Sequence, residues 1–467
     1  MKLFQQICLG LLVLAAARLS AQTPVDTPPA YGAGASAGTS TNDSADPGED
    51  RMVTPPPVSG QSYPVGPVSQ ERSNYLRGGV TFSTAYSDNI LGSTGSTETP
   101  VSDVSYSIWP TIALDETTTR LHWTLNYAPG FTFYQRTSAR NEADQNASIN
   151  FEYRITRHVT FSATDGFQKS SNVFNQPDLA GTVSGGAQGG DLSVIAPVAD
   201  QLRNGGNLGI TYQFAANQMI GAGGSFTNLH YPDPTQVPGL FDSESQSGSG
   251  FYAFRASEMH YLGIDYQYQR LLSFPTQGQN ETHTHAILGF YTLTPSKRFS
   301  ISVFGGPQYL DIGPQFEAGA TTPIAGSTAW KPMGGASMNW QAQFTSLAMS
   351  YAHTVSTGGG LIGAVQGDSA NASFHQQLAR YLSASLSGGY SDSTVVGGLS
   401  QVPGASTNGH IISGTASLQQ QVGQHLNLQL GYSRIHQSFN VAAVAATPDT
   451  NREFVSVSYQ FARPLGR

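Results

Sequence analysis

Long stretches of this chain alternate apolar and polar residues one by one, and that pattern limits the folds open to it. Arg120–Tyr134 sets Leu121, Trp123, Leu125, Tyr127, Phe131 and Phe133 against His122, Thr124, Asn126, Ala128, Gly130 and Thr132. Ser102–Leu114 sets Val104, Tyr106, Ile108, Ile112 and Leu114 against Ser105, Ser107, Thr111 and Ala113. Ile149, Phe151 and Tyr153 alternate with Ser148, Asn150, Glu152 and Arg154. Near the end, Leu426, Leu428, Leu430 and Tyr432 repeat the pattern, as do Val455, Val457, Tyr459 and Phe461. A period of two turns successive side chains to opposite faces, so each stretch reads as a strand with one apolar face. The stretches exceed the five or six residues usual in soluble sheets. About 9–11 residues tilted near 45° cross a bilayer.

Composition separates a membrane barrel from a soluble sandwich. Charged residues are 11% and hydrophobic ones only 39%, against about 25% charge in soluble domains. After position 21 there is no apolar run of the roughly 20 residues that a membrane helix needs. In a transmembrane barrel, lipid-facing and lumen-facing residues average to this balance. With 22 Lys+Arg against 30 Asp+Glu the net charge is −8, and no basic stripe offers a nucleic-acid footprint.

The connections alternate too. Short ones lie near Glu116–Thr119, Ile155–His158, Ala215–Gln218, Ser257–His260, Thr294–Lys297, Gln341–Phe344, Leu378–Tyr381 and Val422–His425. Longer ones lie at 89–101, 136–145, 171–201, 232–246, 274–280, 311–328, 357–366, 394–408 and 438–450. A meander that turns tightly at one rim and loops freely at the other is the plan of outer-membrane barrels. The unit recurs: Phe374-His-Gln-Gln-Leu-Ala-Arg-Tyr-Leu matches Leu418-Gln-Gln-Gln-Val-Gly-Gln-His-Leu and Phe151-Glu-Tyr-Arg-Ile-Thr-Arg-His-Val. The expected fold is all-β: a transmembrane up-and-down antiparallel β-barrel of about eighteen strands over 75–467.

Two segments precede it. Residues 1–21, with Lys2, an apolar stretch and Leu19-Ser20-Ala21, read as a signal peptide. Its Cys8 is the chain's sole cysteine, so the mature chain has no thiol. Residues 22–74 are rich in Pro, Gly, Ser and Thr and read as a disordered periplasmic tether, either a spacer or a partner-binding arm.

The signal peptide, the hairpins over 75–461 and the last strand Glu453-Phe-Val-Ser-Val-Ser-Tyr-Gln-Phe461 resemble the porin-type outer-membrane β-barrels of Gram-negative bacteria, including their uncharacterised families. The resemblance implies export to the outer membrane, contact with its lipid and lipopolysaccharide, and self-association in some members. It also implies a final strand read by the barrel-assembly machinery, with Val457, Tyr459 and Phe461 as the insertion signal. Here Ala462-Arg-Pro-Leu-Gly-Arg467 follows that signal.

Eighteen strands leave room for water inside, as in 16–18-stranded porins, and the inward face reads as Ser, Thr, Asn, Gln and Gly. The expected function is a passive channel for small polar solutes or ions. A polysaccharide export conduit and a structural or adhesive surface protein are the alternatives. The long loop 171–201 is the candidate constriction, with Asp178, Asp191 and Asp200 favouring cations if it folds inward. Arg120, Arg154, Arg157, Lys297, Arg298 and Arg380 gather at the short turns. Asp233, Asp242, Glu244, Asp311, Glu317, Asp368 and Asp449 gather at the long-loop side. Those acids either serve as a solvated rim or bridge divalent cations to lipopolysaccharide. Trp123, Tyr127, Tyr153, Tyr261, Tyr432 and Tyr459 read as an interfacial girdle. His283 and His285 with Glu281 share one strand face but lack a further ligand, so no metal and no cofactor is expected. No Ser/His/acid grouping points to an enzyme. Asp165 falls on the lipid phase, where Gly166 points to a bulge or the outer rim.

Overall fold

In the computed structural model the described residues are 74–464, apart from 91–99, 172–198, 235–239, 276–277, 297, 317–322, 359–361, 397–407, 442–443 and 447–448. The signal segment and nearly all of the tether lie outside them, as do Asp178, Asp191, Lys297 and Glu317. The first strands are β1 (Tyr75–Ser87), β2 (Asp103–Thr117), β3 (Leu121–Tyr134), β4 (Glu142–Arg154), β5 (Val159–Ser170) and β6 (Gln201–Ala215). Next come β7 (Gln218–His230), β8 (Asp242–Arg255), β9 (His260–Phe274), β10 (Asn280–Ser296), β11 (Phe299–Ile312) and β12 (Ser327–Gln341). The last are β13 (Thr345–Gly358), β14 (Ile362–Ala379), β15 (Leu382–Val395), β16 (Asn408–Val422), β17 (Leu426–Val441), β18 (Val444–Ala446) and β19 (Asp449–Pro464). Three-residue β18 pairs only with the outer end of β17, so eighteen strands form the wall.

Each wall strand pairs antiparallel with the next. The sheet closes because β1 pairs with β2 on one side and with β19 on the other, from Tyr75↔Pro464 to Ser87↔Arg452. Closure matters in lipid, where an unpaired backbone group has no water to bond. Tyr75 also lies opposite Asp115, close to the β2–β3 turn, so both described ends sit at the short-turn rim. All eight expected short turns are present. Two expected loops differ: most of 357–366 is strand, with the β13–β14 ladder running on to Gly358↔Ile362, and 438–450 is largely taken up by the end of β17, by β18 and by the start of β19. Thr354, Val355 and Val365 are good strand formers that extend the pairing.

The two side-chain phases separate as expected. Phe82, Ile112, Leu208, Ile264, Ile287 and Leu386 are apolar yet 50–60% exposed. They form the outward, lipid-facing surface. Ser83, Ser105, Asn126, Thr132, Ser148 and Ser417 take the inward phase and are buried. The inward phase is not uniformly polar, though. On β7–β12 it carries a buried cluster that includes Met219, Ala253, Tyr261, Leu288, Phe290 and Phe304. Tyr261 is therefore a lumen-side residue at 6% exposure and not part of the girdle. Alternation hid this wall because Ile287, Gly289 and Tyr291 on the other face of β10 are no more polar than Leu288 and Phe290.

Inward aromatic rings lie across glycines of neighbouring strands. A Cβ at Gly130 would sit 2.4 Å from the Trp109 ring, and one at Gly431 would sit 2.2 Å from Phe454. Phe251, Phe290 and Phe304 occupy Gly221, Gly263 and Gly335 in the same way. Such pairs pin the register and cover backbone that glycine leaves bare. Gly431→Leu should therefore displace Phe454 and destabilise the wall by about 1–3 kcal/mol or more. A lower unfolding midpoint, followed through heat-modifiable gel mobility, is the expected result.

Candidate channel interior

The outer half of the lumen between β19 and β6 is lined by charge. Glu142 and Asp144 occupy the inward phase of β4, and Asp200 precedes β6. The three lie close enough to repel one another, with Arg452 of β19 opposing Glu142 and Lys169 of β5 opposing Asp144. Asp144 and Arg452 are 3% and 4% exposed. Glu142 accepts a hydrogen bond from Tyr134 Oη at 2.9 Å, and Asp144 accepts one from the Ser171 N–H at 3.1 Å. Arg452 stacks over the Phe454 ring at 5.4 Å. Nearby Asp103 ties down the β3–β4 connection by accepting from the N–H groups of Arg136 and Thr137 and from Thr137 Oγ1. Of the acids read from the sequence as a constriction, Asp200 belongs to this group; Asp178 and Asp191 are outside the described residues. The sequence reading passed over Glu142 and Asp144. Their even register with Ser148 and Asn150, opposite Ile149 and Phe151, was the available signal.

The other wall is narrowed by a hairpin. β12 pairs with β11 along its length, from Phe299↔Trp340 to Ile312↔Ser327. It pairs with β13 only from Gln341↔Ser346 to Gly334↔His353. Beyond that point β13 stays with β14, and both contact β9, although β10, β11 and β12 lie between β9 and β13 in the wall. Val355 and Ala364 share a buried cluster with Leu271 of β9, Leu310 and Ile312 of β11, and Val396. Leu271, Leu310 and Ile312 point inward, so the outer β13–β14 hairpin is packed against the inside of the barrel. Pro332 explains where the ladder ends. It sits directly opposite Pro307, a pairing that fits the non-hydrogen-bonded position and turns the missing N–H of Pro332 toward β13.

The remaining marked residues face outward. His283 and His285 accept or donate through Nδ1 to Tyr268 Oη and Tyr266 Oη at 2.8 and 2.9 Å. Glu281 pairs with Arg270 and His283. Among the described residues no group of three or more His, Cys, Asp or Glu side chains is arranged to hold a metal ion. Asp165 keeps the lipid phase with continuous pairing on both sides, so Gly166 makes no bulge. Asn204 Nδ2 donates to the Asp165 carboxylate at 3.4 Å. Val457, Tyr459 and Phe461 form the outward face of β19. The Phe461 ring lies on Gly78 of β1, 2.5 Å from where a Cβ would stand, and so covers the closing seam.

No family model matches the sequence, and no curated protein matches it. Among solved structures, OpdQ of Pseudomonas aeruginosa aligns with a TM-score of 0.39 at 10% identity, over 83% of this chain and 98% of its own. OccK2 (OpdF) of the same organism aligns at 0.40 and 11%, over 84% and 98%. The siderophore receptor PirA from Acinetobacter baumannii aligns at 0.40 and 8%, over 84% and 81%. The sheet itself, closed by eighteen strands with an apolar face outward and polar side chains inward, has the architecture of a transmembrane β-barrel of the outer-membrane type.

Proposed function

We propose that the barrel is a passive channel for small polar solutes, with a preference for cations. The observation that carries this reading is the inward group of Glu142, Asp144 and Asp200 on a closed eighteen-strand wall. Carboxylates along a pore attract cations and repel anions where they are ionised. The packed β13–β14 hairpin supports a constriction on the opposite side; residues 172–198 of the loop read as a constriction lie outside the described residues. Planar-bilayer recording of refolded residues 22–467 across a salt gradient tests the reading. Steady openings with a cation-directed reversal potential are expected. A tight seal from protein shown to be folded would refute it.

A further inference from the structure

The short-turn rim is rich in arginine, and the arginines crowd where the described chain begins. Arg463 lies at the end of β19 and Arg77 near the start of β1. Arg120 stands in the β2–β3 turn, Arg154 ends β4 and Arg157 lies in the β4–β5 turn. These two turns are neighbours, since the Arg154 N–H donates to the Arg120 carbonyl at 2.7 Å. Arg120, Arg157 and Arg463 are exposed. The acids of this sector are Asp115, Glu116 and Glu152. Two of them are engaged locally: Asp115 lies 3.4 Å from His122 Nε2, and Glu116 accepts from Trp123 Nε1 at 3.0 Å. Further round the rim, Arg255, Arg298 and Arg380 face one more acid among the described residues, Glu258.

The chain enters the barrel inside this basic sector. Asn74 Oδ1 accepts from the Thr117 N–H at 2.6 Å, and Tyr75 stands between Asp115 and Pro464. The residues before it carry the complementary charge. Asp43-Ser-Ala-Asp-Pro-Gly-Glu-Asp50 holds four acids in eight residues and no base. Asp50 precedes Asn74 by 24 positions, a length of chain that spans at most roughly 80 Å. A closed wall of eighteen tilted strands is roughly 40 Å across, so the acids reach the neighbouring turns with chain to spare.

We propose that Asp43–Asp50 docks on the arginines of the β2–β3 and β4–β5 turns and so holds the N-terminal arm against the mouth of the barrel that faces the periplasm. A single exposed ion pair contributes little. Here four acids meet several arginines together, and attachment through Asn74 keeps their local concentration on the order of millimolar. The contact is between charges in water, so salt screens it. The long-loop rim, with Asp88, Asp233, Asp242 and Asp449, repels the same segment. The docking stands whether or not the barrel conducts.

Distance measurements on the mature chain, residues 22–467, test it. That chain has no cysteine of its own, because Cys8 precedes it. Nitroxides on Ser44→Cys and Thr119→Cys report the distance from the acidic segment to the β2–β3 turn by pulsed electron paramagnetic resonance. A second pair, Ser44→Cys with Gln343→Cys, reports the distance to the β12–β13 turn across the rim. At low salt a short, narrow distance to Thr119 and a longer one to Gln343 are expected. Asp43→Asn, Asp46→Asn, Glu49→Gln and Asp50→Asn together should reduce the short population at least severalfold. Arg120→Gln with Arg157→Gln should do the same, as should molar salt. Heat-modifiable mobility checks that each variant is folded. Equal distances to the two turns in the native chain would overturn the docking and leave the rim for a separate acidic partner. A short distance to Thr119 that survives either set of substitutions would overturn it too, because the contact would then not rest on these charges.

Discussion

Replacing residues 355–364 by a two-glycine turn should raise single-channel conductance severalfold. The outer β13–β14 hairpin packs inside the wall through Val355 and Ala364, so its volume is taken from the lumen. An eighteen-strand barrel without internal filling is wide enough for an aqueous channel, and current follows the narrowest cross-section. Retained heat-modifiable mobility would show that the wall survives, since the β13–β14 ladder continues from Thr354↔Gly367 inward. A milder change, Val355→Asp, places a charge among Leu271, Leu310 and Ile312 and should loosen the same contact, visible as added current noise. Conductance unchanged in both variants would place the constriction elsewhere.

Neutralising the carboxylate group should have the next largest effect. At roughly 7 Å through water, each ionised carboxylate favours a passing cation by about 0.6 kcal/mol, which is a bias of about threefold. Arg452 offsets part of this. Glu142→Gln, Asp144→Asn and Asp200→Asn together should therefore lower the cation-to-anion permeability ratio by about threefold to tenfold, read as a shift of the reversal potential toward zero. Acidification should act in the same direction on the native protein, because protonation removes the same charges. The triple variant should lose that pH response. A reversal potential that ignores all three substitutions would remove these residues from the pathway.

Much of the architecture was legible in the chain because its determinants are local. Alternation such as Leu121, Trp123, Leu125 against His122, Thr124, Asn126 is a property of neighbours, and it specifies strand and face together. Turn length is equally local, so the eight tight turns and the strand number could be counted along the chain. Placing Asp165 on the lipid face and Tyr459 and Phe461 on the outward side of the last strand needed only the same parity. Where both faces are apolar, as in Ala286–Tyr291, parity carries no information, and the apolar inner wall with Tyr261 was missed. Glu142 and Asp144 had the right parity but stood inside an expected loop, 136–145, and so were not read as lining.

What tertiary structure alone decided is non-local. Whether Arg452 meets Glu142 depends on closure of β19 onto β1, which brings together residues more than 300 apart in sequence. The seat of Phe461 on Gly78 depends on the same closure. The inward turn of the β13–β14 hairpin depends on a contest between two partners for β13. Its pairing with β14 continues while its pairing with β12 stops near Pro332, and the freed hairpin buries Val355 and Ala364 against β9 and β11. A strand's period says which side chains share a face; which neighbour keeps the strand is settled by summed hydrogen bonds and buried apolar area across the whole sheet.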